Sequence, residues 1–170
     1  LRLTRLDSGA VEPAVCVAVK PVLERAARML RPVAGQREVE LTCRADEAAA
    51  VRATEGDVHQ ILYNLMENGV KYTAPGGFVH TSVSVEDGRV VITVSDNGIG
   101  IPVEDMPHIF ERFYRVDKAR SRQIGGTGLG LSIVGDTVQR RGGEIGVAPR
   151  EGGGTVFTVS FPQAEPEVTA

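Results

Sequence analysis

Residues 77–96 read GFVHTSVSVEDGRVVITVSD. Two runs with apolar residues at every second position flank Asp87-Gly88. That dipeptide suits a tight two-residue turn, so the stretch predicts a β-hairpin. Strands that alternate polar and apolar residues build a sheet with one face buried and one face open. A doubly wound sheet would need strands that are apolar throughout. The hairpin therefore points to a two-layer α/β sandwich, with helices covering one face of the sheet.

Reading outward, EPAVCVAV (12–19) can supply a short strand, and KPVLERAARMLRPVAG (20–35) has helical spacing. Val22, Leu23, Ala26, Ala27 and Leu30 share one side of that helix, and Gly35 is a natural stop. REVELTCRA (37–45) reads as a strand with AAVRA (49–53) as its short partner. Asp57 is a suitable N-cap for a helix running to about Thr73, just before Ala74-Pro75-Gly76-Gly77. Residues 97–130 are glycine-rich and irregular, with at most a short helix near VEDMPHIFERF (103–113). A segment that long without regular structure inside a small domain signals function. LSIVGDTVQRRG (131–142) is a third helix, and EIGVAP (144–149) and GTVFTVSFP (154–162) close the domain as strands.

Three polar groupings carry chemistry. On the second helix Val58, Ile61, Leu62, Leu65 and Gly69 form the apolar face, while Gln60, Asn64, Asn68 and Lys71 cluster on another. Amide oxygens can ligate Mg²⁺ and a lysine can meet a phosphate. The same row also reads as a solvated helix face. Gly69 argues against that reading, because a mid-helix glycine costs about 1 kcal/mol relative to alanine and wants a packing reason. The second grouping is VSDNGIGIP (94–102). Asp96 ends a strand there and can accept from an exocyclic amine, while Gly98 and Gly100 permit close approach of a planar ring; a plain Asp-Asn-Gly turn has the same letters. The third is GGTGLGL (125–131), four glycines in seven residues ahead of a helix. Exposed backbone N–H groups and a helix N-terminus suit an anion. Arg115, Lys118, Arg120 and Arg122 precede it, as a charged solvated segment would also have them. It is neither a Walker A element nor a dinucleotide fingerprint. Together the three groupings supply what Mg-ATP requires.

The chain has 170 residues and a formal net charge of −3. That is one domain's worth of core, without the basic excess of a nucleic-acid binder. No apolar run is long enough to span a bilayer. Cys16 and Cys43 stand apart and read as buried free thiols, and there is no Cys/His cluster with zinc spacing. LRLTRLDSG (1–9) reads as the tail of a preceding helix, and PQAEPEVTA (162–170) as a frayed tail. The expected division is 1–10, a remnant of an upstream segment; 11–162, the domain; and 163–170, a flexible end.

With these motifs in this order, the chain resembles the catalytic and ATP-binding domain of a bacterial sensor histidine kinase. HQILYNLMENGVKYT resembles the N box, DNGIGIP the first glycine box, IFERFYR the F box, GGTGLGL the second glycine box, and GGGTVFTVSFP the closing strand. The resemblance implies the Bergerat fold, a mixed sheet covered by three helices, with ATP and Mg²⁺ as ligands. It implies that Asn68 is the main protein ligand to Mg²⁺, with Asn64 near the metal and phosphates. Lys71 would contact phosphate, Tyr72 would line the nucleotide site, and Arg115 would approach the γ-phosphate. Asp96 would bind the adenine amino group, with Gly98, Gly100, Ile101 and Thr155 shaping its pocket. Gly126, Thr127, Gly128, Leu129, Gly130 and Leu131 would form the hinge and phosphate-facing end of an ATP lid, which Phe110 and Phe113 would dock onto the domain.

The partners so implied are a dimerisation and phosphoacceptor domain of the same kinase and the receiver domain of a response regulator, with no nucleic acid or membrane contact by this fragment. The fragment would be a monomer, and the parent a membrane-anchored homodimer presenting this domain to the cytoplasm. None of His59, His80 and His108 lies in a phosphoacceptor context. ATP-hydrolysing relatives of this fold carry a glutamate one turn before the metal-binding asparagine. Here that position is Asn64, which cannot act as a base. Hydrolysis, and a noncatalytic nucleotide-sensing docking module, are the competing readings.

Overall fold

The computed structural model describes residues 12–114 and 130–165. In chain order the elements are β1 (Val15–Ala18), α1 (Val19–Gln36), β2 (Glu40–Ala45), β3 (Ala50–Ala53), α2 (Glu55–Lys71), β4 (Phe78–Glu86), β5 (Arg89–Asp96), a 3₁₀ turn (Met106–His108), α3 (Gly130–Arg140), β6 (Glu144–Pro149) and β7 (Thr155–Pro162). Five strands form one sheet in the order β2-β4-β5-β7-β6. β2 and β4 are parallel and the other pairs antiparallel, so the sheet is mixed. α1 packs on β2, α2 on β4 and β5, and α3 on β6. This is the expected two-layer Bergerat sandwich.

The 77–96 hairpin is the spine of the sheet. Asp87 and Gly88 both take positive φ, 50° and 76°, as the two-residue turn demands. Val79 lies opposite Asp96 and Val83 opposite Ile92. Alternation then puts Val79, Thr81, Val83, Val90, Ile92 and Val94 on the buried face beneath the helices. Asp96 is the next residue in that inward row, so the period that builds the core also buries a carboxylate at its edge.

Several local expectations are corrected. β3 pairs not with β2 but with β1, antiparallel, in a separate two-stranded sheet. The α2 N-cap is Thr54 rather than Asp57: Thr54 Oγ1 accepts from the Asp57 N–H at 3.0 Å, and Asp57 Oδ2 accepts from the Thr54 N–H at 3.3 Å. Asp57 thus closes a capping box from inside the first turn. Gly35 does not stop α1, which runs to Gln36; the left-handed residue past the helix end is Glu38, at φ 58°. Cys16 and Cys43 are free but only partly buried. Past β7, backbone hydrogen bonds run from Gln163 to Gly88 and from Ala164 to Ala50.

Asp57 also takes Arg141 Nε at 2.6 Å, tying the start of α2 to the end of α3. Thr54→Ala is expected to cost about 1 kcal/mol of unfolding free energy, read as a shift in denaturant midpoint at constant slope. The loss stays that small because Arg141 still holds Asp57.

Candidate functional site: the cleft edge between α2, α3 and the end of β5

Gly69 brings α2 down onto the sheet. A methyl group built at position 69 would lie 3.0 and 3.2 Å from the two Val79 methyls and 3.7 Å from Asp96 Oδ2. A side chain there would crowd Val79 at the very turn that carries Asn68. This is the packing reason the sequence called for, and it sets Asp96 against the amide-bearing part of α2.

Asp96 is 5% exposed. Its Oδ1 accepts from the Gly98 N–H at 2.9 Å, and the Thr155 backbone N–H lies near the carboxylate. Burial pushes the Asp96 carboxyl above its ordinary value, while the two backbone donors and the Arg150 charge oppose the rise. Arg150 lies over the Phe78 ring, 4.9 Å from its centre. Asp96 is therefore a buried acceptor aimed by backbone donors.

The glycines around it serve close approach. A methyl at Gly98 would collide with the Tyr72 carbonyl at the end of α2, and that carbonyl takes the Ile99 N–H at 3.1 Å. Gly100 is left-handed, φ 75°. Gly154, at φ 106°, presses on the Asp96 carbonyl from the β6–β7 loop. The Asp-Asn-Gly turn is thus clasped between the end of α2 and residues 150–154. Thr155 is buried and lies opposite Asp96 in register. Ile101 is partly buried against the core.

Gln60 and Asn64 of the amide row face α3. Gln60 Oε1 accepts from the Thr137 hydroxyl at 3.3 Å, which uses Gln60 for packing. One turn on, a methyl at Gly130 would sit 3.9 Å from Asn64 Oδ1. The positive end of α3 therefore adjoins Asn64. At the end of this helix the Lys71 ammonium lies 3.7 Å from Glu67 Oε1. Burial first, then the nearby Glu67 carboxylate, raises the Tyr63 pKa. Glu67, the one carboxylate next to Asn68 in sequence, is thus paired with Lys71.

Phe110 packs on Gly135, whose added methyl would lie 3.3 Å from Phe110 Cβ, and meets Phe157 edge-on at 6.2 Å. Phe113 does not dock. It is 67% exposed, with φ 63°. Leu131 packs inward on the core. Arg115, Gly126, Thr127, Gly128 and Leu129 lie outside the described residues.

Sequence reading missed Arg37, Arg141 and Arg150, whose contacts join segments far apart in the chain. It also missed the Thr54 cap, although Thr-x-x-Asp was a local signal for it.

Residues 53–165 match the family described as histidine kinase-, DNA gyrase B- and HSP90-like ATPase. The chain belongs to this family. Sensor histidine kinase WalK of Bacillus subtilis (strain 168) is 44% identical over 122 residues, which is 71% of this chain and 20% of WalK. Sensor-like histidine kinase SenX3 of Mycolicibacterium smegmatis is 36% identical over 164 residues, 96% of this chain and 43% of SenX3. Among solved structures, full-length ShkA in complex with AMPPNP superposes with a TM-score of 0.80 at 32% identity, covering 97% of this chain and 34% of ShkA. The chain thus spans less than half of these relatives. Within the family it is a catalytic ATP-binding domain of the sensor histidine kinase type.

The residues fit Mg-ATP. The buried Asp96 accepts only, as a purine 6-amino group requires. Asn64 and the start of α3 offer neutral oxygen and backbone donors to phosphate. Among the described residues no three His, Cys, Asp or Glu side chains gather to hold a metal. Mg²⁺ favours few protein ligands together with water and substrate phosphates. No described helix is long and apolar enough to cross a membrane.

Proposed function

We propose that this domain binds Mg-ATP and transfers its γ-phosphoryl group to a histidine on a separate dimerisation and phosphoacceptor domain. The observation that carries this reading is the amide at Asn64, next to Gly130 at the start of α3. A hydrolase needs a base in that position to activate water. A neutral imidazole already has a nitrogen lone pair and needs orientation more than deprotonation.

In this reading Asp96 accepts from the adenine amino group, and Gly98, Gly100, Ile101, Tyr72 and Thr155 shape the adenine pocket. Asn68, with Asn64 beside it, would hold Mg²⁺, which neutralises phosphate charge when bound. Lys71 and Arg115 would stabilise charge on the transferring group. Gly126, Thr127, Gly128, Leu129, Gly130 and Leu131 would contact the phosphates and close over them. The bond between the γ-phosphorus and the bridging oxygen breaks, a bond to imidazole nitrogen forms, and the ring proton passes to solvent. A receiver-domain aspartate then takes the group. The parent would be a membrane-anchored homodimer.

The test is transfer of γ-labelled phosphate from ATP to a supplied histidine-bearing domain. Label is expected on that domain, stable to base and labile to acid, with none on this chain alone. Tight Mg-ATP binding without transfer would favour a docking module. Steady ATP turnover without an acceptor, lost in Asn64→Ala, would favour a hydrolase.

A further inference from the structure

The end of α2 is held by groups that neither the capping nor the core explains. The last carbonyls of a helix lack intrahelical donors. Here the Asn68 carbonyl takes the Tyr72 N–H at 3.2 Å. The Val70 and Lys71 carbonyls are met from another element. Arg37 Nε donates to the Val70 carbonyl at 3.1 Å and Arg37 Nη2 to the Lys71 carbonyl at 2.7 Å. Only a planar guanidinium spans two successive carbonyls in this way.

Arg37 reaches them from the α1–β2 turn, where Glu38 is held left-handed at φ 58°. The Glu38 carbonyl is tied to the Gly76 N–H at 2.8 Å. A non-glycine residue in that conformation stores strain, and such strain persists where the surroundings enforce it. The Lys71 side chain is fixed at its other end. Its ammonium meets Glu67 one turn back, the favourable order for an i,i+4 pair. Glu67 lies beside Tyr63, whose ring stacks on His59 at 5.7 Å. Lys71 is thus gripped at its carbonyl and at its ammonium.

We propose that Arg37 and Glu67 are positioning residues that hold the Lys71 ammonium in place for the polyphosphate of the nucleotide. The inference rests on the reading of Lys71 as a phosphate contact. A free lysine has many rotamers to lose on meeting a phosphate, and fixing both its ends removes much of that loss beforehand.

Arg37→Gln, Glu67→Gln and Lys71→Met, with the doubles Arg37→Gln/Lys71→Met and Glu67→Gln/Lys71→Met, provide the test. Calorimetry measures Mg-ATP and adenosine affinity for each, and unfolding curves check the fold. Arg37→Gln and Glu67→Gln should each weaken Mg-ATP about three- to tenfold while leaving adenosine within about twofold. Both losses should vanish when Lys71 is already methionine. A merely structural role would weaken adenosine equally or persist in the Lys71→Met background, and either result overturns the proposal. So do unchanged single variants, or tighter Mg-ATP binding by Glu67→Gln, which would make Glu67 a competitor of phosphate. If Arg37→Gln fails to fold, the surface pair Glu67 and Lys71 decides alone. If Lys71→Met binds Mg-ATP like wild type, or wild type does not bind it, the reading of the site falls first and this inference with it.

Discussion

Replacing Asp96 with asparagine is expected to weaken Mg-ATP binding about 10- to 100-fold, the range for losing a hydrogen bond to a charged acceptor in a dry site. The free domain should stay folded. The asparagine side chain fills the same volume, and its carbonyl oxygen can still take the Gly98 N–H that now lies 2.9 Å from Oδ1. What it cannot do is present a second pure acceptor to an incoming amine. Calorimetry with Mg-ATP reads the affinity. Unchanged binding would remove Asp96 from the nucleotide site.

The same variant has a pH signature. Burial raises the folded-state pKa of Asp96 above 3.8. Between 3.8 and the raised value the native state binds more protons than the unfolded state, so this group's contribution to stability falls as pH rises through that window. Above the window the ionised carboxylate is a standing cost to the free domain. Asp96→Asn has no such dependence. Its unfolding temperature relative to wild type should rise as pH increases through the window and then level off. A flat difference across the acid-to-neutral range would mean that the backbone donors and Arg150 fully offset burial.

The sequence carried most of this geometry because the decisive residues work through local rules. The 77–96 hairpin was readable from a period of two and one Asp-Gly turn, and that period alone sends Asp96 inward. Gly69 was readable as a packing site because a mid-helix glycine is otherwise a loss. Features that depend on distant partners were not readable. β3 is four residues long, and nothing within four residues specifies whether β1 or β2 pairs with it. Arg37 carries no local mark of its role, since the carbonyls it meets lie 33 and 34 residues away. Phe110 and Phe113 look alike in IFERFYR, yet among the described residues only Phe110 has a glycine opposite it, Gly135 on α3, that leaves room for a ring. Lys71 sits near the amide row on a wheel, but the wheel does not say that its ammonium pairs with the carboxylate four residues back.

The β6–β7 loop sharpens this contrast, because its three glycines look equivalent in the sequence and are not equivalent in the structure. Gly152, Gly153 and Gly154 all have positive φ, 90°, 112° and 106°. A methyl at Gly153 would meet nothing within 4 Å, whereas one at Gly154 would run into the carbonyl and carbon of Asp96 and the α-carbon of Asn97. Gly153→Ala therefore bears conformational strain alone, about 1–3 kcal/mol. Gly154→Ala bears the same strain plus overlap with backbone that cannot rotate away, for a total of about 3–5 kcal/mol. Relief of that overlap must push the Asp96–Asn97 peptide off the loop and, with it, the carboxylate held by Gly98 and Thr155. The two variants should thus separate in both measurements. Gly153→Ala is expected to keep Mg-ATP affinity at a modestly lowered denaturant midpoint. Gly154→Ala is expected to lose most of its stability and to bind Mg-ATP poorly even at low temperature, where it remains folded. Equal behaviour of the two would show that the loop does not clasp the Asp96 turn.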